Sequence, residues 1–100
     1  MILELADIRI QPNTQLAFEE AIVKGAREVI SHAKGFQGYK INKCIETPER
    51  YILQIFWDTL ENHTVDLRQS EAFTQWRALV GPFFASAPVV EHFDLLDKSA

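Results

Sequence analysis

His63 is the residue best suited by type and position to move a proton. It follows Glu61 by two positions on a helical segment, and Leu60 and Leu67 share its face at i−3 and i+4. An imidazole on such a partly apolar stripe has two readings. Either it hydrogen-bonds a neighbouring backbone and packs, or it serves a pocket as base or donor, since an ordinary histidine pKa of ~6.5 permits proton transfer near neutrality. His92 lies between Glu91 and Phe93 on a final extended run, on the parity of Val90 and Asp94. It is read either as a satisfied polar group or as a second pocket residue. Phe73 and Trp76, at i and i+3, read as core, and beside Arg77 they also suit the flat wall of a cleft for a planar ligand. Arg68 and Arg77 read as salt-bridge formers at a surface or interface, with substrate clamps as the other reading. Glu4 is the odd member of the apolar parity Ile2, Ala6, Ile8 and Ile10. It is expected to fray into solvent at the strand start, with a pocket carboxylate as the other reading. Cys44 reads as a small hydrophobe on a strand.

The sequence contains no Gly-rich phosphate loop, no Gly-x-Ser-x-Gly elbow, no His-Glu-x-x-His and no cysteine pair, so neither cofactor nor metal is expected. A zinc site built from His32, His63 and His92 would need three distant segments to converge without any ligand spacing. Fourteen acidic residues against ten basic ones give a net charge of −4, the wrong sign for a protein that neutralises phosphates, and nucleic acid is not an expected partner. The longest uncharged run, Ala78 to Val90, is interrupted by Gly81, Pro82 and Pro88 and falls short of the ~20 apolar residues of a membrane span. Glu4, Asp7 and Arg9 break up any signal-peptide core, and a single cysteine suits a reducing compartment. A cytoplasmic protein is expected.

These side chains need a scaffold, and 100 residues with 47% hydrophobic content predict a single domain over 1–96 with a polar tail at 97–100. Ile2 to Ile10 alternates and reads as a strand ended by Pro12. Asn13 or Thr14 then caps an amphipathic helix in which Phe18, Ile22, Ala26 and Val29 recur at helical steps before Gly35 stops it. Phe36–Ile45 and Tyr51–Trp57, joined by Glu46-Thr47-Pro48-Glu49, predict a hairpin. Asp58 or Thr59 caps a second helical region, with Glu61 completing a capping box after Asp58, and Ser70 starts a fresh helix that Gly81-Pro82 ends. That second helix is therefore broken. Val89 to Leu96 closes the chain as a strand.

The order strand, helix, strand, strand, helix, strand is the α+β ferredoxin-like split unit, with both helices on one face of a four-stranded antiparallel sheet. In Tyr51–Trp57 both parities are mainly apolar, so the face without helices needs cover. A second copy packed through that face predicts a homodimer. Which parity faces outward is left open.

Trp57 followed by Leu60-Glu61-Asn62-His63-Thr64, the Arg68-Gln69-Ser70 break, Phe73-x-x-Trp76-Arg77 and the closing Pro88-Val89-Val90-Glu91-His92-Phe93 resemble the antibiotic biosynthesis monooxygenase family over essentially the whole chain. The resemblance implies a dimeric α+β barrel. Activities in that family include cofactor-free oxidation of polycyclic phenols to quinones, haem degradation and isomerisation. The haem-degrading branch uses an asparagine on the first strand and a tryptophan and a histidine on the second helical region. Those places are held here by Ala6, Asp66, and Trp76 or Arg77, so haem degradation is not expected. The phenol-oxidising branch implies a monooxygenase acting on a small hydroxylated aromatic or similar planar metabolite. His63 would then be the base, Trp76 and Phe73 would stack the ring, and Tyr39 or Arg77 would hold the developing anion, with Trp57 and His92 also at the substrate. A non-catalytic binding or sensing dimer of the same fold is the competing expectation.

Overall fold

The computed structural model describes residues 1–99. The alternating segments become strands β1 (Ile2–Arg9), β2 (Phe36–Lys43), β3 (Arg50–Trp57) and β4 (Val89–Asp94), with helices α1 (Gln15–Glu28) and α2 (Glu71–Val80) between them. All neighbours pair antiparallel in the order β2-β3-β1-β4, which is the ferredoxin-like α+β arrangement. Among the described residues no helix is long and apolar enough to cross a membrane.

Pairing in register decides the question of parity. Tyr51, Leu53, Ile55 and Trp57 of β3 point to the helices and are almost fully buried, together with Ala6 and Ile8 of β1 and Phe18 and Ile22 of α1. Ile52, Gln54 and Phe56 therefore face the other way, alongside Leu3 and Leu5 of β1 and Phe93 of β4. At one end of that bare face Arg50 grips the Asp7 carboxylate with two hydrogen bonds of 3.1 and 2.8 Å. Near the other end the Lys98 ammonium sits 5.1 Å above the Phe56 ring, while the Leu95 N–H donates to the Met1 carbonyl at 3.1 Å.

Several local expectations are corrected. Thr14 stands at the start of α1 but does not cap it through its side chain; its hydroxyl donates back to the Gln11 carbonyl at 2.7 Å. Of the two expected caps after β3, Thr59 serves and Asp58 does not, and the reciprocal partner is Asn62 rather than Glu61. The Thr59 N–H donates to Asn62 Oδ1 at 2.9 Å, and the Asn62 N–H donates to Thr59 Oγ1 at 3.2 Å. Asn62 wins because its amide points inward against Gly35, whose φ of 81° strains any side chain, and a methyl group there would overlap the Asn62 amide. Asn62–Leu67 is a π-helical turn, with the Arg68 N–H reaching back five residues to the His63 carbonyl at 3.3 Å. Ser70 does cap α2, its hydroxyl accepting from the Phe73 N–H at 3.4 Å. β2 ends at Lys43 and β4 at Asp94, each two residues short of expectation. Cys44 consequently lies in the connection, where its sulfur accepts from the Thr47 N–H at 3.3 Å.

Candidate functional site

Antiparallel pairing lines up Tyr39, Ile55, Glu4 and His92 as one row across the helix-covered face, since Glu4 stands opposite both Ile55 and His92, and Ile55 opposite Tyr39. Glu4 does not fray into solvent. Only 5% of it is exposed, because Trp57 and the π-helical turn close over it. The Trp57 indole N–H donates to Glu4 Oε1 at 2.9 Å, and His63 Nε2 lies 3.4 Å from the same oxygen. His63, 3% exposed, stacks on Trp57 with ring centroids 5.9 Å apart and an interplanar angle of 19°. On its other side His63 Nδ1 lies 2.8 Å from His92 Nε2.

Burial dominates the electrostatics of this cluster. Removal from water pushes the Glu4 carboxyl up to about 7, against the lowering effects of the Trp57 hydrogen bond and the Arg68 charge. The same burial, helped by the charge of Arg68 and the neighbouring His92, holds His63 down to about 4. His92 is lowered by burial and then by Arg68. At neutral pH both imidazoles are therefore uncharged, and Glu4 is the group poised to change its protonation. Two tautomer sets satisfy the contacts. With Glu4 ionised, His63 Nε2–H faces the carboxylate and His92 Nε2–H donates to His63 Nδ1. With Glu4 protonated, its proton faces His63 Nε2 and His63 Nδ1–H donates to His92 Nε2. The two sets differ by one proton, which is taken up or released at Nδ1 of half-buried His92 while the hydrogen bonds between His92, His63 and Glu4 shift, so no imidazole is charged at rest.

Glu4 and His63 form one end of a cavity of about 230 Å³ between sheet and α2. Ala6, Leu53 and Ile55 floor it, Phe73, Trp76 and Phe84 supply aromatic walls, and Arg68 and Arg77 border it. The Arg77 guanidinium lies 5.9 Å from the Phe73 ring centroid. Trp76 itself is held at the edge of the cavity by Gly25 of α1, where a methyl group would come within 2.8 Å of the indole ring.

Of the residues singled out in the sequence, His63, Phe73, Trp76 and Arg77 line this cavity. His92 reaches it through His63, and Trp57 backs the two acid–base groups rather than lining the space. Tyr39 does not reach it: its ring packs on Phe36, centroids 6.2 Å apart, on edge strand β2. Arg68 and Arg77 form no salt bridge within the chain among the described residues, so the expected surface pairing is not found. His63 and His92 do converge, but as hydrogen-bond partners. Their nitrogens are too close for both to bind one zinc at ~2.0–2.1 Å in tetrahedral geometry, and His32 belongs to a short turn after α1. Glu4 was the residue that sequence reasoning undervalued, and its break in an apolar parity was the available signal.

The family model for antibiotic biosynthesis monooxygenase matches residues 1–79, across β1, the hairpin, the π-helical turn and nearly all of α2. The chain belongs to the antibiotic biosynthesis monooxygenase family. Within that family's fold, a protein from Bordetella bronchiseptica called a "Putative antibiotic biosynthesis monooxygenase" is 39% identical, with a TM-score of 0.89 over 95% of this chain and 96% of its own. A family protein from Caulobacter crescentus, 22% identical, shares the fold with a TM-score of 0.81 over 96% of this chain and 90% of its own. The uncharacterised Bacillus subtilis protein YczJ is 37% identical over 93 residues, 93% of this chain and 97% of that relative.

Proposed function

We propose that the protein is a cofactor-independent monooxygenase for a small hydroxylated aromatic, acting in the cytoplasm as a homodimer joined through the bare sheet face. One observation carries the catalytic part: a buried carboxyl, tuned to about 7 and touching a neutral histidine, forms the end of an aromatic-walled cavity. A base is most effective when its pKa lies near the working pH, and Glu4 meets that condition better than His63 alone. The proton of a phenol at this end passes to the Glu4–His63 pair and on to His92.

The resulting phenolate is electron-rich enough to react with oxygen directly. A ring carbon that bears a hydrogen ortho or para to the phenolate forms a bond to one oxygen atom and loses its proton, the O–O bond breaks, and the second oxygen leaves as water. The substrate supplies all the electrons and becomes a quinone. What the protein contributes is proton removal, orientation between Trp76 and Phe73, and exclusion of water. The cavity favours a ligand of one or two rings. The dimer is supported by the apolar side chains Leu5 and Ile52 and the 44% exposed Phe93 on the bare face, the feature that sheet-to-sheet packing requires.

Oxygen uptake by the purified protein under air, measured over a panel of one- and two-ring phenols and quinols, tests this. The expected result is uptake with at least one compound, with the corresponding quinone formed and loss of rate in Glu4→Gln. Binding without uptake across the panel would overturn the catalytic reading in favour of a binding or sensing dimer.

A further inference from the structure

We infer that the ligand of this cavity carries an anionic group in addition to its hydroxyl, so that the substrate class is a hydroxylated aromatic acid. The inference rests on the cavity described above as a binding site and deepens the monooxygenase reading by naming what distinguishes its substrate from a plain phenol.

The chain as a whole is acidic, with a net charge of −4, yet the charged groups around this one cavity have the opposite balance. Arg68, in the turn after the π-helical segment, and Arg77, on α2, both border it. The ion pairs among the described residues are Arg9–Asp7, Arg50–Asp7, Lys43–Glu19 and the His63–Glu4 contact, so neither of these guanidinium groups is neutralised by a carboxylate. Glu4, the one acidic residue lining the space, stands 5% exposed at the inner end. It is committed to Trp57 and His63 rather than to an arginine. Arg68 lines the same cavity as Glu4 and His63, and its charge lowers the pKa of Glu4, His63 and His92 alike.

A neutral phenol would use the aromatic walls and the acid–base end but leave both guanidinium groups without a partner. An aromatic carboxylate uses all three. Its ring lies between Phe73 and Trp76, its hydroxyl meets Glu4 and His63, and its carboxylate accepts hydrogen bonds from the planar fork of an arginine at the border. Arg77 is the better placed for this, because its guanidinium already stands 5.9 Å from the centroid of the Phe73 ring that would hold the ligand, so little side-chain freedom is lost on binding. A fixed carboxylate also dictates which end of the ring faces Glu4, so charge recognition would set the orientation of the reaction.

The test compares two probes that differ by a single carboxylate, 2,5-dihydroxybenzoate and hydroquinone, titrated into wild-type protein at low ionic strength under nitrogen and followed by calorimetry. Charge-assisted hydrogen bonds predict that 2,5-dihydroxybenzoate binds at least ~10-fold tighter. That preference should weaken with added salt and disappear in Arg77→Gln or in the double variant with Arg68→Gln. Both arginines are exposed at the surface, so an unchanged melting temperature is expected and confirms that the variants are folded. Equal affinity for the two probes, no binding of either, or a preference that survives in the double variant would overturn the inference. Oxygen uptake is read separately. Selective binding without uptake leaves this inference standing and removes the monooxygenase reading, whereas uptake with hydroquinone preferred does the reverse.

Discussion

His63 Nδ1 lies 2.8 Å from His92 Nε2, and that contact joins the buried end of the cavity to edge strand β4. It gives Glu4 a route for its proton to half-exposed His92.

His63→Ala should lower kcat for a hydroxylated aromatic by roughly 10²-fold or more, the contribution typical of positioned acid–base groups. Because His63 is buried and stacked on Trp57, the same change should also cost about 1–3 kcal/mol of stability. Rate and melting curve must therefore be measured together. A rate that falls only with the unfolded fraction would make His63 a packing residue.

Glu4→Gln keeps an acceptor for the Trp57 N–H but removes the titrating group. The native carboxyl, raised from 4.5 to about 7, destabilises the fold progressively as pH rises through that interval, because the unfolded chain ionises more easily. His63, lowered from 6.5 to about 4, acts with the opposite sign and strengthens the fold as pH rises between those values. In the wild type the two slopes nearly cancel between pH 4.5 and 6.5. The variant should instead gain stability over that range, ahead of wild type by up to ~3 kcal/mol above pH 7, since each pH unit separating the carboxyl's unfolded and folded pKa is worth ~1.4 kcal/mol. Urea denaturation across this range checks the sign, and a pH-independent difference would refute it.

With the parity of β3 known, the dimer test is specific. Ile52→Asp puts a charge on the bare face and should convert a dimer to a folded monomer in light scattering, whereas Phe56, only 7% exposed, would bury the charge. Ile55→Asp, one position along, points into the core and should unfold the chain instead.

Gly25→Ala should destabilise despite improving helix propensity. The propensity gain is ~0.5–1 kcal/mol, whereas a methyl group 2.8 Å from the rigid Trp76 ring brings an overpacking cost of ~1–3 kcal/mol. Trp76 is then expected to move toward the cavity, so ligand affinity should fall along with the melting temperature. A more stable variant with unchanged affinity would show that α1 can give way.

The strands and α2 were legible because each rests on a local signal: alternation in Ile2–Arg9 and Tyr51–Trp57, and the Ser70 hydroxyl ahead of Phe73. Glu4 was not, since its burial depends on Trp57 and His63 arriving from more than fifty residues away. Asn62 was passed over for Glu61 because the usual capping pattern favours an acid, while the space beside Gly35 selects a short amide. Tyr39 lay on the right face of the sheet but too far along the row to reach the cavity.

A π-helical turn is what an α-helix becomes when it accommodates one residue too many, and here the surplus lies in Asn62–Leu67. Removing a single residue from that stretch would restore a regular helix and swing the flanking side chains by about 100° relative to one another. Asn62, anchored against Gly35, and Arg68, at the border of the cavity, could no longer hold their places at once. The acid–base end and the cationic rim are thus held in phase by one inserted residue, and a chain one residue shorter here would have to wire its pocket differently, even with every other position the same.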